Sequence, residues 1–189
     1  FTGAVTVTGF ETLNISTNAG PTAAAGTVGR TTDISNAFVG STLSAVNLTG
    51  TAFNITDVST SVAATFDGSA LTGDGATIST GLTVAGSATA GSTITGSAVH
   101  DAFTIAAEGS TYNGNAGDDT FTTTVAILVA DGATDVVLAG GAGTDTLTVT
   151  GNNTTLTDNH FTNVSAFEKL TFTGTQDVSV TSGTAFNSG

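Results

Sequence analysis

A chain of 189 residues with 39% hydrophobic residues and a mean hydropathy of +0.28 holds enough apolar material for a buried core and is not an ordinary disordered tail. Two cations, Arg30 and Lys169, stand against fifteen carboxylates, a formal net charge of -13. That balance excludes nucleic acid as a partner, because neutralising phosphates takes Lys and Arg, and it removes any attraction to an anionic membrane surface. The absence of Cys and Met fits an exported protein without disulfides, and no stretch approaches the ~18 apolar residues of a span, so no membrane insertion is expected.

Roughly one residue in five is Thr, and 25 Gly stand against a single Pro, Pro21, which favours short strands broken by turns and little helix. The runs AVTVTGF and TLNIST, followed by the loop NAGPTAAAGTVG, make residues 1–29 an N-terminal strand segment and loop that continues from a preceding domain. Over 30–95 the β-favourable runs AVNLTG, AFNITDVS, ATISTGLTVAGS and STITGS are separated by Gly, Ser, Asn and Asp, the rhythm of a wound β structure. Residues 96–157 carry glycine- and aspartate-bearing turns, and 158–189 return to strands.

From Ile94 onward large residues recur at nine-residue steps, Ile94, Phe103, Tyr112 and Phe121, resuming after a step of eight as Val129, Leu138, Leu147 and Leu156. A unit of six turn residues and a three-residue strand would point one such residue inward, with two units to a coil. The turns themselves read GSAVHDAFT from Gly96, GNAGDDTFT from Gly114 and GGAGTDTLT from Gly140. Their glycines permit positive φ and aim carbonyls at a common point, while the Asp adds an anionic oxygen; together these are the hard oxygen ligands that Ca²⁺ takes. The candidate ligands are Asp119 and Asp145, then Asp101 and Asp118, with the backbone of Gly114, Ala116, Gly117, Gly140, Ala142 and Gly143. The plainer alternative is that these Asp residues only close Asx-turns.

Asp101 and Asp119 stand 18 residues apart, two nonapeptides and so one coil, whereas Asp119 and Asp145 stand 26 apart. Either the coil widens, with TFTTTVAILV as a long strand and DGATD (131–135) as the opposite turn, or the phase slips and the two aspartates face opposite sides. Widening is preferred, since Val125–Val129 is too apolar for a calcium turn; it makes Asp131 and Asp135 secondary ligand candidates.

The pattern G-G-x-G-x-D-x-U-x, matched throughout by Gly140–Thr148 and missed only at Asn115 in Gly114–Thr122, resembles the calcium-binding nonapeptide of RTX proteins. VTGFETLNIS (7–16) and VSAFEKLTFT (164–173) share Val, Phe-Glu and Leu, and resemble the FETL segments of RTX-type S-layer proteins of Gram-negative bacteria. The resemblance implies an all-β fold, a right-handed parallel β-solenoid (RTX β-roll), with calcium between turns stacked on one side. It implies secretion, an extracellular location at the cell surface and self-assembly into a lattice or filament, with attachment to cell-surface polysaccharide through regions outside this sequence. The alternatives are the stalk of a secreted RTX adhesin, an extracellular sheath or filament subunit, and a polysaccharide-active β-helix enzyme. Enzymatic activity is not expected: there is no HExxH or GxSxG, His100 and His160 are isolated, and two cations are too few to clamp an anionic polysaccharide.

Overall fold

The structure is a computed structural model that describes residues 9–17, 32–33, 44–51, 55–56, 65–73, 80–84, 90–129, 132, 135–151, 155–174 and 179–180. Short Thr-, Val- and Ile-rich runs form strands because their β-branched side chains suit a pleated surface. In chain order the strands alternate between two sheets. The first contains β1 (Thr12–Thr17), β3 (Ala45–Thr51), β5 (Thr65–Thr72), β7 (Thr93–Thr95), β9 (Thr111–Asn113), β11 (Val137–Ala139) and β14 (Val164–Ser165). The second contains β2 (Thr32–Asp33), β4 (Ile55–Thr56), β6 (Thr80–Val84), β8 (His100–Thr104), β10 (Thr120–Thr124), β12 (Thr146–Thr150) and β15 (Lys169–Thr173). A separate pair joins β13 (Thr155–Leu156) to β16 (Ser179–Val180).

Every pairing is parallel, so this is a mostly-β fold of parallel sheets. Both sheets run through residues 95 and 157 without a break, by way of β7–β9, β6–β8, β11–β14 and β12–β15. Parallel register sets like residue on like: Phe66, Ile94, Tyr112 and Leu138 form one inward column, and Phe103, Phe121, Leu147 and Leu170 another. Of the nine-residue series, all but the half-buried Val129 are buried. Phe121 stacks against Phe103 with ring centroids 4.6 Å apart and meets Phe167 edge-on at 4.9 Å.

Two local features differ from expectation or were not anticipated. TFTTTVAILV is not one long strand: β10 ends at Thr124 and a single helical turn, α1 (Val125–Leu128), follows. A ten-residue strand would run ~33 Å, far beyond its five-residue neighbours β8 and β12, and its excess backbone would lack partners; the turn of helix instead buries Leu128. TFDGSALT, whose Asp67-Gly68 reads as a turn, is the eight-residue strand β5, with a register shift against β3 between Asn47 and Thr49. Gly68 is favoured there because a Cβ would lie 2.7 Å from Leu82 Cδ1 and 3.0 Å from the Thr95 carbonyl, so the Leu82 side chain would have to shift. His160 sits in a 3-10 turn, Asp158–Phe161, where its imidazole caps the Thr157 N–H at 3.1 Å, a turn role rather than a ligand's. The Asn18–Gly29 loop, most of AVTVTGF and Arg30 lie outside the described residues, among which no helix is long and apolar enough to cross a membrane.

Because Phe121 is fully buried between two aromatic neighbours, Phe121→Ala is expected to cost about 3–5 kcal/mol of unfolding free energy in a denaturant titration. Thr148→Ala, on the outer face of β12, should change it by less than ~0.5 kcal/mol.

Candidate metal centre

The turns 96–101, 114–119 and 140–145 each lead into a strand of the second sheet, so the register of those strands fixes how the turns stack. Thr120 pairs with Ala102 on one side and with Thr146 on the other. Asp119 therefore lies between Asp101 and Asp145 on one side of the molecule; the 26-residue interval is a widened loop, not a slipped phase. Adjacent levels are tied by a repeated bond in which a carboxylate accepts the backbone N–H of the preceding level's acidic residue. Asp101 N–H donates to Asp119 Oδ1 at 2.7 Å, Asp119 N–H to Asp145 Oδ1 at 2.7 Å, and Asp145 N–H to Glu168 Oε2 at 2.7 Å. At the other end Leu82 N–H donates to Asp101 Oδ1 at 2.5 Å.

The second oxygen separates these carboxylates. Asp101 is fully satisfied: Ser97 N–H donates to its Oδ2 at 2.6 Å and Ser97 Oγ–H to its Oδ1 at 2.8 Å. In the next turn the residue corresponding to Ser97 is Asn115, which adopts φ 76°, and its N–H donates to Asn113 Oδ1 at 2.9 Å instead. Gly141 holds the same place in the third turn with φ 111°. Asn tolerates left-handed φ better than other non-Gly residues, so the single departure of GNAGDDTFT from the repeat preserves its backbone. Oδ2 of Asp119 and Oδ2 of Asp145 are left buried with no hydrogen-bond partner.

Each orphan oxygen lies against a glycine. A Cβ on Gly114 would sit 2.2 Å from Asp119 Oδ2 and 2.1 Å from the Gly140 carbonyl oxygen, so these two oxygens converge on the space the missing side chain leaves. The equivalent point at Gly140 lies 2.7 Å from Asp145 Oδ2 and 1.9 Å from the Ala166 carbonyl oxygen. Two acceptors facing one space in a dry site repel unless a cation or a proton stands between them. Burial, reinforced by the neighbouring carboxylates Asp101, Asp145 and Asp118, pushes the Asp119 carboxyl up to about 8, against the N–H bond from Asp101. Burial also raises Asp101 to about 6, offset by its bonds from Leu82 and Ser97, and raises Asp145.

The remaining candidates take other places. Asp118 is exposed; its carboxylate accepts Thr144 N–H at 2.8 Å and its carbonyl meets His100 Nδ1, so it braces the outer edge of the stack. Ala116 and Ala142 form a parallel bridge, the Ala142 carbonyl accepting Gly117 N–H at 2.9 Å. Gly143 stacks on Gly117, where a Cβ would lie 2.0 Å from the Gly117 carbonyl oxygen. Asp135 is not brought to this stack: it follows α1 and accepts Gly132 N–H at 3.0 Å and Asn163 Nδ2–H at 3.3 Å, closing its own turn. Asp131 lies outside the described residues. Glu168 and Ser97 belong to the stack and were not singled out in the sequence. Glu168 stands in VSAFEKLTFT, 23 residues beyond Asp145, where the extra methylene of Glu spans the step.

The donor set suits calcium at two of the three aspartates: Asp119 and Asp145 each offer a buried anionic oxygen beside a carbonyl, whereas Asp101 has none to spare. Among the described residues no three His, Asp or Glu side chains converge, so an ion held here takes most of its ligands from turn carbonyls and water. Comparison of the chain with family models, with curated proteins and with solved structures returns no match.

A carboxyl whose folded pKa lies above its unfolded value stabilises the fold fully below the unfolded pKa and loses that contribution as pH rises through the folded one. Metal-free protein should therefore lose stability from pH 4 upward, through about 6 for Asp101 and about 8 for Asp119. Asp119→Asn keeps an acceptor for Asp101 N–H and sets an amide donor toward the Gly140 carbonyl. Thermal melts in chelator across pH 4–9 should show a steep decline for wild type and a shallower one for this variant, with the variant the more stable at pH 8.

Proposed function

We propose that the chain is a structural module of an extracellular surface lattice, similar to RTX-type S-layer proteins, that winds as a right-handed parallel β-solenoid and folds and assembles with calcium. The observation that carries this reading is the pair of buried, partnerless oxygens, Asp119 Oδ2 and Asp145 Oδ2, set one level apart beside the carbonyls of Gly140 and Ala166. Bound calcium supplies positive charge that replaces repulsion between stacked acceptors with shared coordination. Asp119 and Asp145 would hold it, with the Gly140 and Ala166 carbonyls of the next level; Ser97 closes off Asp101. The alternation of strands between two parallel sheets supports a wound chain, each turn of it returning to the same sheet one strand further on. A net charge of -13 with no cluster of cations supports a structural rather than a catalytic or nucleic-acid role.

Extracellular calcium modules bind in the range of about 10⁻⁴ to 10⁻³ M. Circular dichroism of the metal-free protein at pH 8 should therefore show β structure gained over that range of calcium, and little response to magnesium at the same concentration. The Asp119→Asn/Asp145→Asn double variant should lose the response. Wild-type protein that binds no calcium at several millimolar would remove the metal from the reading.

A further inference from the structure

The outward face of the second sheet carries a regular array of threonines. In-register pairing of β8, β10, β12 and β15 aligns Thr104, Thr122, Thr148 and Thr171 in one column, with mostly Thr on either side. None of the outward positions on these four strands bears a carboxylate, although the chain holds fifteen, and one position bears Lys169. The acids of this region lie elsewhere: Asp101, Asp119 and Asp145 are buried at the turns, Asp118 and Glu168 sit at the turn edge, Glu108 lies between β8 and β9, and Asp135 lies in the turn before β11.

We propose that this face packs against a second copy of the same chain, forming a contact within the lattice; the inference rests on the self-assembly reading above. Two molecules of net charge -13 repel wherever acidic surfaces approach, and this face lets them meet without opposing carboxylates. Thr is β-branched and stiff at χ1, so a fixed grid of hydroxyls and methyls loses little side-chain entropy on docking. Four strands at ~4.8 Å spacing and five residues at ~3.3 Å rise give roughly 300 Å², well short of the ~800 Å² per partner of a stable pair. Single contacts are therefore weak, and the face holds copies together through repetition across an array, not as an isolated dimer.

The chain has no cysteine, so a single introduced thiol reports on each face. Thr148→Cys places it in the array and Thr111→Cys places it on the outward side of β9 in the other sheet; both native residues are half-buried. Alkylation rates are compared in calcium below and above the protein concentration at which particles appear by light scattering. Assembly should slow labelling of the Thr148→Cys variant at least tenfold and leave that of Thr111→Cys unchanged. Assembly with equal labelling of the two overturns this contact and leaves the lattice reading standing. Protein that stays monomeric at millimolar concentration overturns both, and protection that appears only on adding polysaccharide overturns the self-contact. Thr122→Lys/Thr148→Lys, provided its calcium-dependent dichroism matches wild type, should raise the concentration needed for assembly at least tenfold; an unchanged threshold contradicts the proposal.

Discussion

The bond from a backbone N–H to the carboxylate of the next level sets most of the turn chemistry. Parallel strands supply their own ladder bonds along the sheets, but where the chain turns between sheets the amides point out of the ladder and must find acceptors. Asp119, Asp145 and Glu168 supply them, each reaching back one level. This draws the carboxylates inward, beneath glycines that have no side chain to obstruct them, and it fixes the spacing of turns to the spacing of strands. Inward placement is also what raises the Asp119 carboxyl, since burial disfavours its charged form. One arrangement thus creates both the mechanical tie and its electrostatic cost.

Whether a turn carries that cost depends on its second residue. Ser97 supplies an N–H and an O–H to Asp101, and the turn closes with no orphan oxygen. Asn115 and Gly141 adopt left-handed backbone, and the aspartates of those turns keep one oxygen unsatisfied. The same nine-residue unit therefore yields a self-sufficient turn or one that needs a cation or a proton, from a change at one position. On the proposed reading, Asp101 marks where calcium-dependent levels give way to levels held by protein bonds alone.

Much of the fold was legible because its period is short. The series Ile94, Phe103, Tyr112, Phe121 located the core, since parallel in-register pairing repeats the same environment at each level. The widened interval between Asp119 and Asp145 was legible too, from the apolar character of Val125–Val129. Its helical turn was not, because a short apolar run carries no period that separates strand from helix. β5 was hidden by Asp67-Gly68, a turn pair in local chemistry that the sheet accommodates with a register shift. Glu168 was not legible as part of the stack, because nothing in FEKL states that its carboxylate reaches one level back. Ser97 stands where the repeat pattern has Gly, and its bonds to Asp101 become visible only with the backbone in place.

On the proposed reading, the space beside Asp119 Oδ2 holds either a proton or a cation. Calorimetric titration of calcium into the metal-free protein at pH 7, repeated in buffers of different ionisation enthalpy, tests it directly. With the Asp119 carboxyl at about 8, calcium binding should release protons, seen as a binding heat that changes with the buffer, and Asp119→Asn should reduce that dependence. Calcium binding with no proton release, or release unchanged in Asp119→Asn, would contradict the account.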